Sequence, residues 1–242
     1  MHEALKARYV LDCRIKTLSP LHIGSEKALG FGVDNPVIKV KREVNGEIKE
    51  IPVIPGSSIR GVLRAHFYRL ANSGVLEKLG FKVLKEDLGE VERKFVRIDA
   101  DEKIKFVREK LGALEKLFGI SGLASPLKIT DAEPVIFTIA TRTHVKIDSK
   151  KDRVESGKLF SVEFVEGEFR FKIVFDELVS DYDDVNKFFH EVILKTLSNG
   201  LEIHLGGMKS RGYGFCEIKL EEGMRYTAEG LATGRAEKLE VV

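Results

Sequence analysis

Between His204 and Phe215 the chain reads HLGGMKSRGYGF, which places four glycines, Lys209 and Arg211 in one short segment with no acid among them. Glycine lets a backbone approach a ligand closely and turn through positive φ. The exposed amides of such a turn form an anion-binding concavity, and two cations beside it suit a phosphate. The spacing is neither GxxxxGKS/T nor GxGxxG, so the two familiar nucleotide-binding loops are excluded. A plain glycine-rich turn before an edge strand, with both cations in water, fits the same composition, and composition does not choose between the two.

Other residues carry weaker signals. Asp34 sits among Gly30, Phe31, Gly32, Asn35 and Pro36. A loop carboxylate there can hold a metal ion or assist proton transfer; an Asx turn before proline uses the same residue. The run GSSIRGVLRAHFYRLA, residues 56–71, opens like a helix, with Ser57 or Ser58 able to cap it. Arg60 and Arg64 lie one turn apart and can follow adjacent phosphates or pair with acids on a surface helix. The six histidines, His2, His22, His66, His144, His190 and His204, have no zinc-site spacing, so no structural zinc is expected. No GxSxG elbow and no Cys–His pair stands out.

The whole chain bounds these readings. Its 242 residues, 43% of them hydrophobic, can build a core. The net charge is only +2 although 32% of residues are charged, so a nucleic-acid surface has to be a local patch. Cys13 and Cys216 each lie in an apolar, strand-like run, as buried thiols of a reducing compartment do. No run approaches the ~20 apolar residues of a membrane span, and there is no secretory h-region; a cytoplasmic protein with no membrane partner is expected.

Several elements can position the candidates. Residues 8–18 alternate like a half-buried strand. Residues 25–56 read as a long loop with a hairpin turning at Asn45-Gly46. In the helix at 56–71, Ile59, Val62, Leu63, His66 and Leu70 fall on one face and Arg60, Arg64, Phe67 and Tyr68 on another. A second helix is expected at 103–118, a short strand in PLKITDAEPV, a β-hairpin across Phe160–Phe175 turning at EGE, a third helix at 183–198 and a closing strand in GFCEIKL. That order predicts an α+β, ferredoxin-like (RRM-like) βαββαβ core with large insertions.

Taken together, PLHIG, GVDNPVIK, IPGSSIRGVLR and GGMKSRGYGF occur in an order that resembles the RAMP superfamily of CRISPR proteins. More narrowly, GVDNPVIK with IPGSSIRG is similar to the backbone (stem) subunit of type III CRISPR effector complexes, and LFGISGLASPLKITDAEP, RTHVKID and GKLFSVEFVEG fit it too. The likeness runs from about residue 8 to 220 and implies one RAMP domain over 1–242. Its insertions are a catalytic loop at 25–56, a helical insert at 73–120 and a thumb-like hairpin at 142–158.

The resemblance implies that His22, Lys39, Ser57, Ser58, Arg60, Arg64, Arg142, His144, Gly206, Gly207, Lys209 and Arg211 contact RNA. It implies that Asp34 cleaves target RNA with a divalent cation, Mg²⁺ foremost. The implied partners are a guide CRISPR RNA, a single-stranded target RNA, copies of the chain in a filament and other type III effector subunits. A purely structural guide-binding subunit with an idle Asp34 is the alternative; a guide-processing ribonuclease fits less well. The insert at 81–110, the VKREVNGEIKE hairpin and the tail from about 222 are not explained by these motifs.

Overall fold

The computed structural model describes residues 4–24, 33–44, 46–148, 153–179 and 182–240, with backbone alone for 145–148 and 153–158. Strand β1 (Leu5–Thr17) leads to the hairpin β2 (Lys39–Val44) and β3 (Glu47–Pro52), then to helix α1 (Gly56–Asn72). Short helices α2 (Val75–Lys78), α3 (Leu88–Arg97), α4 (Ala100–Glu109) and α5 (Ala113–Phe118) precede β4 (Leu127–Ile129), β5 (Glu133–Asp148) and β6 (Arg153–Leu178). A helical rod follows: α6 (Asp183–Phe188), a π-helical stretch Phe189–Leu194, and α7 (Lys195–Asn199). β7 (Leu201–His204), β8 (Phe215–Thr227), α8 (Ala228–Thr233) and β9 (Glu237–Lys238) close the chain.

The main sheet runs β4-β6-β1-β8-β7, with its pairs antiparallel. The inner order β8-β1-β6-β4, with α1 before β4 and the helical rod between β6 and β8, is compatible with the expected βαββαβ core. Strand alternation sorts the sheet into two faces. Tyr9, Leu11, Cys13 and Ile15 of β1, Phe169, Phe171, Ile173 and Phe175 of β6, and Cys216, Ile218 and Leu220 of β8 pack against Ile59, Leu63 and Phe67 of α1 and Phe188 and Phe189 of the rod. The other face is a lattice of opposite charges. Arg8 and Lys128 both reach Asp176, at 2.6 and 2.7 Å, Lys172 reaches Asp12 at 2.7 Å, and Arg14 sits between Glu168 and Glu221, at 2.9 and 3.1 Å.

Three expectations are corrected. The expected hairpin at Phe160–Phe175 is part of one continuous strand: residues 166–168 stay paired with β5, and Glu168 also pairs with Lys16 of β1. Side chains alternate through Gly167 without a break, since Val165 lies in the main core with Phe169 and the pairing with β5 keeps its register there; Gly167 has φ of 156° and no room for a Cβ, which would sit 2.1 Å from the Ile136 carbonyl. What changes is which face is apolar: Val162 and Phe164 at even positions pack with Tyr213, whereas Val165, Phe169, Phe171, Ile173 and Phe175 at odd positions enter the main core. That switch of apolar face is what imitates a turn in the sequence. The helix expected at 103–118 breaks before Gly112, whose Cβ would lie 2.4 Å from the Lys82 carbonyl. Phe67 belongs to the buried face of α1 with Ile59 and Leu63, while His66 is turned partly outward.

The hairpin β2–β3 forms as expected, although Asn45 of its turn lies outside the described residues, as do Gly30, Phe31 and Gly32. The insert folds around its own small core of Val91, Phe95, Val107, Leu111 and Ile120. Beyond the end of β1, β6 continues as a two-stranded ribbon with β5, which includes the stretch expected to form the thumb. Residues 149–152 of that stretch, and the side chain of Lys146, lie outside the described residues. Among the described residues no helix is long and apolar enough to cross a membrane.

Candidate nucleic-acid interface

The edge of β6 that β1 leaves open is filled by two loop segments. Leu21 bridges to Val165, and Asn35 bridges to Val162. His22 is buried, with its Nδ1 2.7 Å from the Glu163 carbonyl. A carbonyl only accepts, so Nδ1 carries the proton. The carbonyl of His22 in turn accepts the Gly207 amide at 2.9 Å. His22 thus joins the glycine-rich turn to β6.

The turn itself closes where the Leu205 amide donates to the Gly214 carbonyl at 2.8 Å. Gly206 has φ of 71°, and a Cβ there would lie 2.2 Å from the His22 carbonyl. Met208 takes φ of 56°, the one non-glycine residue in the left-handed region among those described, just ahead of a 3₁₀ turn at Lys209–Arg211. The turn sends its two cations to opposite sides. Lys209 lines a cleft of about 340 Å³ between α1 and β7, together with His66, Arg69, Glu202 and His204. Arg211 lies over the Phe160 ring, 5.2 Å from its centroid.

On that second side an aromatic and cationic cluster covers the ribbon. Arg142 sits 5.4 Å from the Phe164 centroid and 5.5 Å from that of Tyr213. His144 stacks on Phe160 at 5.4 Å, and its Nε2 hydrogen-bonds the Tyr213 hydroxyl at 2.9 Å. Partial desolvation, then Arg211 and Arg142, hold the His144 pKa below the usual imidazole value. Arginine planes and stacked rings of this kind are what bases and phosphates bind.

Asp34 and Lys39 lie on the same β6 edge. The Asp34 Oδ2 accepts hydrogen bonds from the Ser161 amide at 2.7 Å and the Ser161 hydroxyl at 3.0 Å. Glu163, itself buried, accepts from the Val37 amide at 2.9 Å and the Lys39 ammonium at 2.6 Å. Lys39 therefore serves first as the counter-ion of a buried acid.

The α1 candidates form a separate group. Neither Ser57 nor Ser58 caps the helix, contrary to expectation: Gly56 is pressed against the Ile129 carbonyl, and its amide donates to Asp131 Oδ1 at 2.8 Å. The crowded entry at Gly56 brings Asp131 to the amide a serine would otherwise have served. Arg60 donates to the carbonyls of Phe118 and Leu127. Burial, then Arg64, lower its pKa. Arg64 lies over the Tyr68 ring at 5.6 Å and 3.9 Å from Glu92.

The fold therefore brings His22, Lys39, Arg142, His144, Gly206, Gly207, Lys209, Arg211 and Asp34 to one end of the sheet and leaves Ser57, Ser58, Arg60 and Arg64 outside that cluster. Sequence reasoning missed Phe160, Ser161, Glu163 and Tyr213 as neighbours of these residues, and His66, Arg69 and His204 as lining of the cleft. The motifs GKLFSVEFVEG and GGMKSRGYGF contain Phe160, Ser161, Glu163 and Tyr213 but do not show what these residues touch. Among the described residues, no group of three or more His, Cys, Asp or Glu side chains could hold a metal ion. Glu163 is taken by Val37 and Lys39, and Glu202 lines the cleft on the far side of the turn, so Asp34 offers one carboxylate here, a donor set that fits only a cation carried largely by phosphate oxygens.

The sequence matches the family model described as the RAMP superfamily over residues 14–217. The endoribonuclease Csm3 of a CRISPR system of Streptococcus thermophilus is 28% identical over 214 residues, which span 86% of each chain. A chain in the cryo-EM structure of the type III-B Cmr-beta complex bound to cognate target RNA superimposes with a TM-score of 0.54 at 12% identity, covering 91% of this chain and 98% of that one. A chain of a type IV-B CRISPR complex gives 0.52 at 18% identity, covering 88% and 90%. The structural likenesses speak to the fold. The family match spans α1, β4 to β7 and the glycine-rich turn described above, and the chain belongs to the RAMP superfamily.

Proposed function

We propose that this chain is a backbone subunit of a type III CRISPR effector complex that holds guide RNA along its phosphate chain and cuts target RNA with Asp34. One observation carries the binding half. Arg69, His66 and His204 line the cleft that Lys209 enters, and Arg211, His144 and Arg142 continue on the far side of the same turn. The cations of this track, Arg69, Lys209, Arg211 and Arg142, outnumber Glu202, which also lines the cleft, and suit a polyanion followed along its backbone, with stacking on Phe160 and no reading of base sequence. The sheet face that an RRM-like domain can offer to RNA is here occupied by its own ion pairs, which also favours the turn. The guide, copies of this chain and the other subunits of the effector are the partners, and target recognition falls to guide–target pairing.

The relative Csm3 is named an endoribonuclease, which supports the cutting half. In the proposed reaction the ribose 2′-oxygen of the target forms a bond to the adjacent phosphorus and loses its proton. The bond from phosphorus to the 5′-oxygen breaks and that oxygen gains a proton, leaving a 2′,3′-cyclic phosphate and a 5′-hydroxyl. A divalent cation bound with the target would neutralise charge on the phosphate. Asp34 supplies the carboxylate on the protein side and orients the reacting group.

The reading with an idle Asp34 has one observation in its favour: the Ser161 contacts occupy Oδ2 as a purely structural loop clamp would. Cleavage of complementary RNA by the guide-loaded complex, with wild-type chain and with Asp34→Ala, separates the two. Loss of cutting with target Kd within about threefold supports catalysis. Unchanged cutting removes Asp34 from the reaction.

A further inference from the structure

From the geometry at the β6 edge we infer that Ser161 is a positioning residue for Asp34, setting the direction of its carboxylate for the cut. This rests on the proposed role of Asp34 in target cleavage.

Asp34 and Ser161 are 127 residues apart in sequence yet bonded reciprocally. The Asp34 amide donates to the Ser161 hydroxyl oxygen at 3.0 Å, and that hydroxyl donates to Asp34 Oδ2 at 3.0 Å. The Ser161 amide donates to the same Oδ2 at 2.7 Å, and the Asn35 amide donates to the Ser161 carbonyl at 3.1 Å. The hydroxyl is the only group in this set that touches both the backbone and the carboxylate of Asp34. It closes a ring that fixes the Asp34 side chain relative to its own main chain. A backbone amide alone holds Oδ2 but leaves that rotation softer. A side chain that both accepts and donates from one short stem is needed, which serine and threonine provide.

The neighbouring residue of the same strand face strengthens the clamp. Glu163, two positions on, takes the Val37 amide and Lys39. The segment from Asp34 to Lys39 is thus strapped to β6 at two successive inward positions. The intervening residues Phe160, Val162 and Phe164 point the other way, into the cluster with Tyr213. One strand therefore carries the stacking platform on one face and the carboxylate clamp on the other. Where Asp34 points is decided by the same ribbon that bears Arg142 and His144.

A misplacement of about 1 Å costs on the order of 100-fold in rate when a group must meet a reacting atom, so loss of the hydroxyl has a kinetic signature. The test uses the guide-loaded complex with Ser161→Ala, Ser161→Thr and Asp34→Ala, measured as single-turnover cleavage at saturating target, with target Kd and thermal midpoint for each. The expected result is a drop of about tenfold or more for Ser161→Ala, with target Kd and midpoint near wild type and most of the rate restored in Ser161→Thr. Wild-type cutting by Ser161→Ala beside an inactive Asp34→Ala overturns the positioning role alone. A rise in Kd with a fall in both midpoint and rate, without rescue by threonine, also overturns it and marks a structural residue. Wild-type cutting by Asp34→Ala overturns both the positioning role and the cleavage reading beneath it.

Discussion

The carbonyl of His22 accepts the amide of Gly207 at 2.9 Å and at the same time fills the place where a side chain on Gly206 would begin, 2.2 Å away. The glycine-rich turn is held by that contact, and its two cations are aimed by it.

Gly206→Ala should therefore destabilise the protein. A non-glycine residue in the left-handed region costs about 1–2 kcal/mol, and the overlap with the carbonyl adds to it. At roughly 2–4 °C per kcal/mol for a chain of this size, the thermal midpoint should fall by about 4 °C or more, and RNA affinity should fall with it. A midpoint within a degree of wild type would show that the turn relaxes freely.

Reversing the two cations, Lys209→Glu with Arg211→Glu, should weaken binding of unstructured RNA of any sequence. The slope of log affinity against log salt should become shallower by roughly 1.4, from two lost contacts at ~0.7 each on a single strand. Fluorescence anisotropy at several salt concentrations reads both. A loss confined to particular sequences would contradict backbone binding.

Arg60 and Arg64 should part company. Arg60 holds the carbonyls of Phe118 and Leu127, and hydrogen bonds from a charged donor contribute about 1.5–3 kcal/mol. Arg60→Ala is expected to lower the thermal midpoint by about 4–8 °C. Arg64→Ala, which loses a stacking contact and a long ion pair, should cost less than half of that. Equal midpoints for the two variants would count against the structural role of Arg60.

Stability should decline on acidification through the histidine range. Burial, then Arg69, lower the His66 pKa, and burial also leads in lowering that of His190, where Lys6 and Arg225 add and Glu177 opposes. A folded-state value below the unfolded one, near 6.5, means that the unfolded chain takes up the proton first. The stability these neutral rings confer is present above that value and is lost as pH falls through it toward the folded-state pKa. Thermal midpoints at pH 7.5 and 5.5 should show the fall, and His66→Gln with His190→Gln should flatten it. An unchanged pH dependence in the double variant would assign the effect elsewhere.

The sequence by itself determined what is local. Period-two alternation marked β1 and the apolar face of β6, period 3.6 marked α1 and the rod, and glycine spacing marked the turn at 206–214. Ordered motifs pointed to the RAMP superfamily before any contact was known. Tertiary structure decided what depends on residues far apart in the chain. Local pattern cannot tell whether the switch of apolar positions from even to odd around Gly167 marks a turn; only pairing with β1 and β5 shows that the strand goes on. Nor can it foresee that Arg60 serves two carbonyls, that Lys39 neutralises buried Glu163, or that Asp131 takes the helix entry from Ser57 and Ser58. The bond from Ser161 to Asp34 is of the same kind. It exists because β6 outruns β1 and leaves an edge of unpaired amides and carbonyls, which the loop carrying Asp34 satisfies.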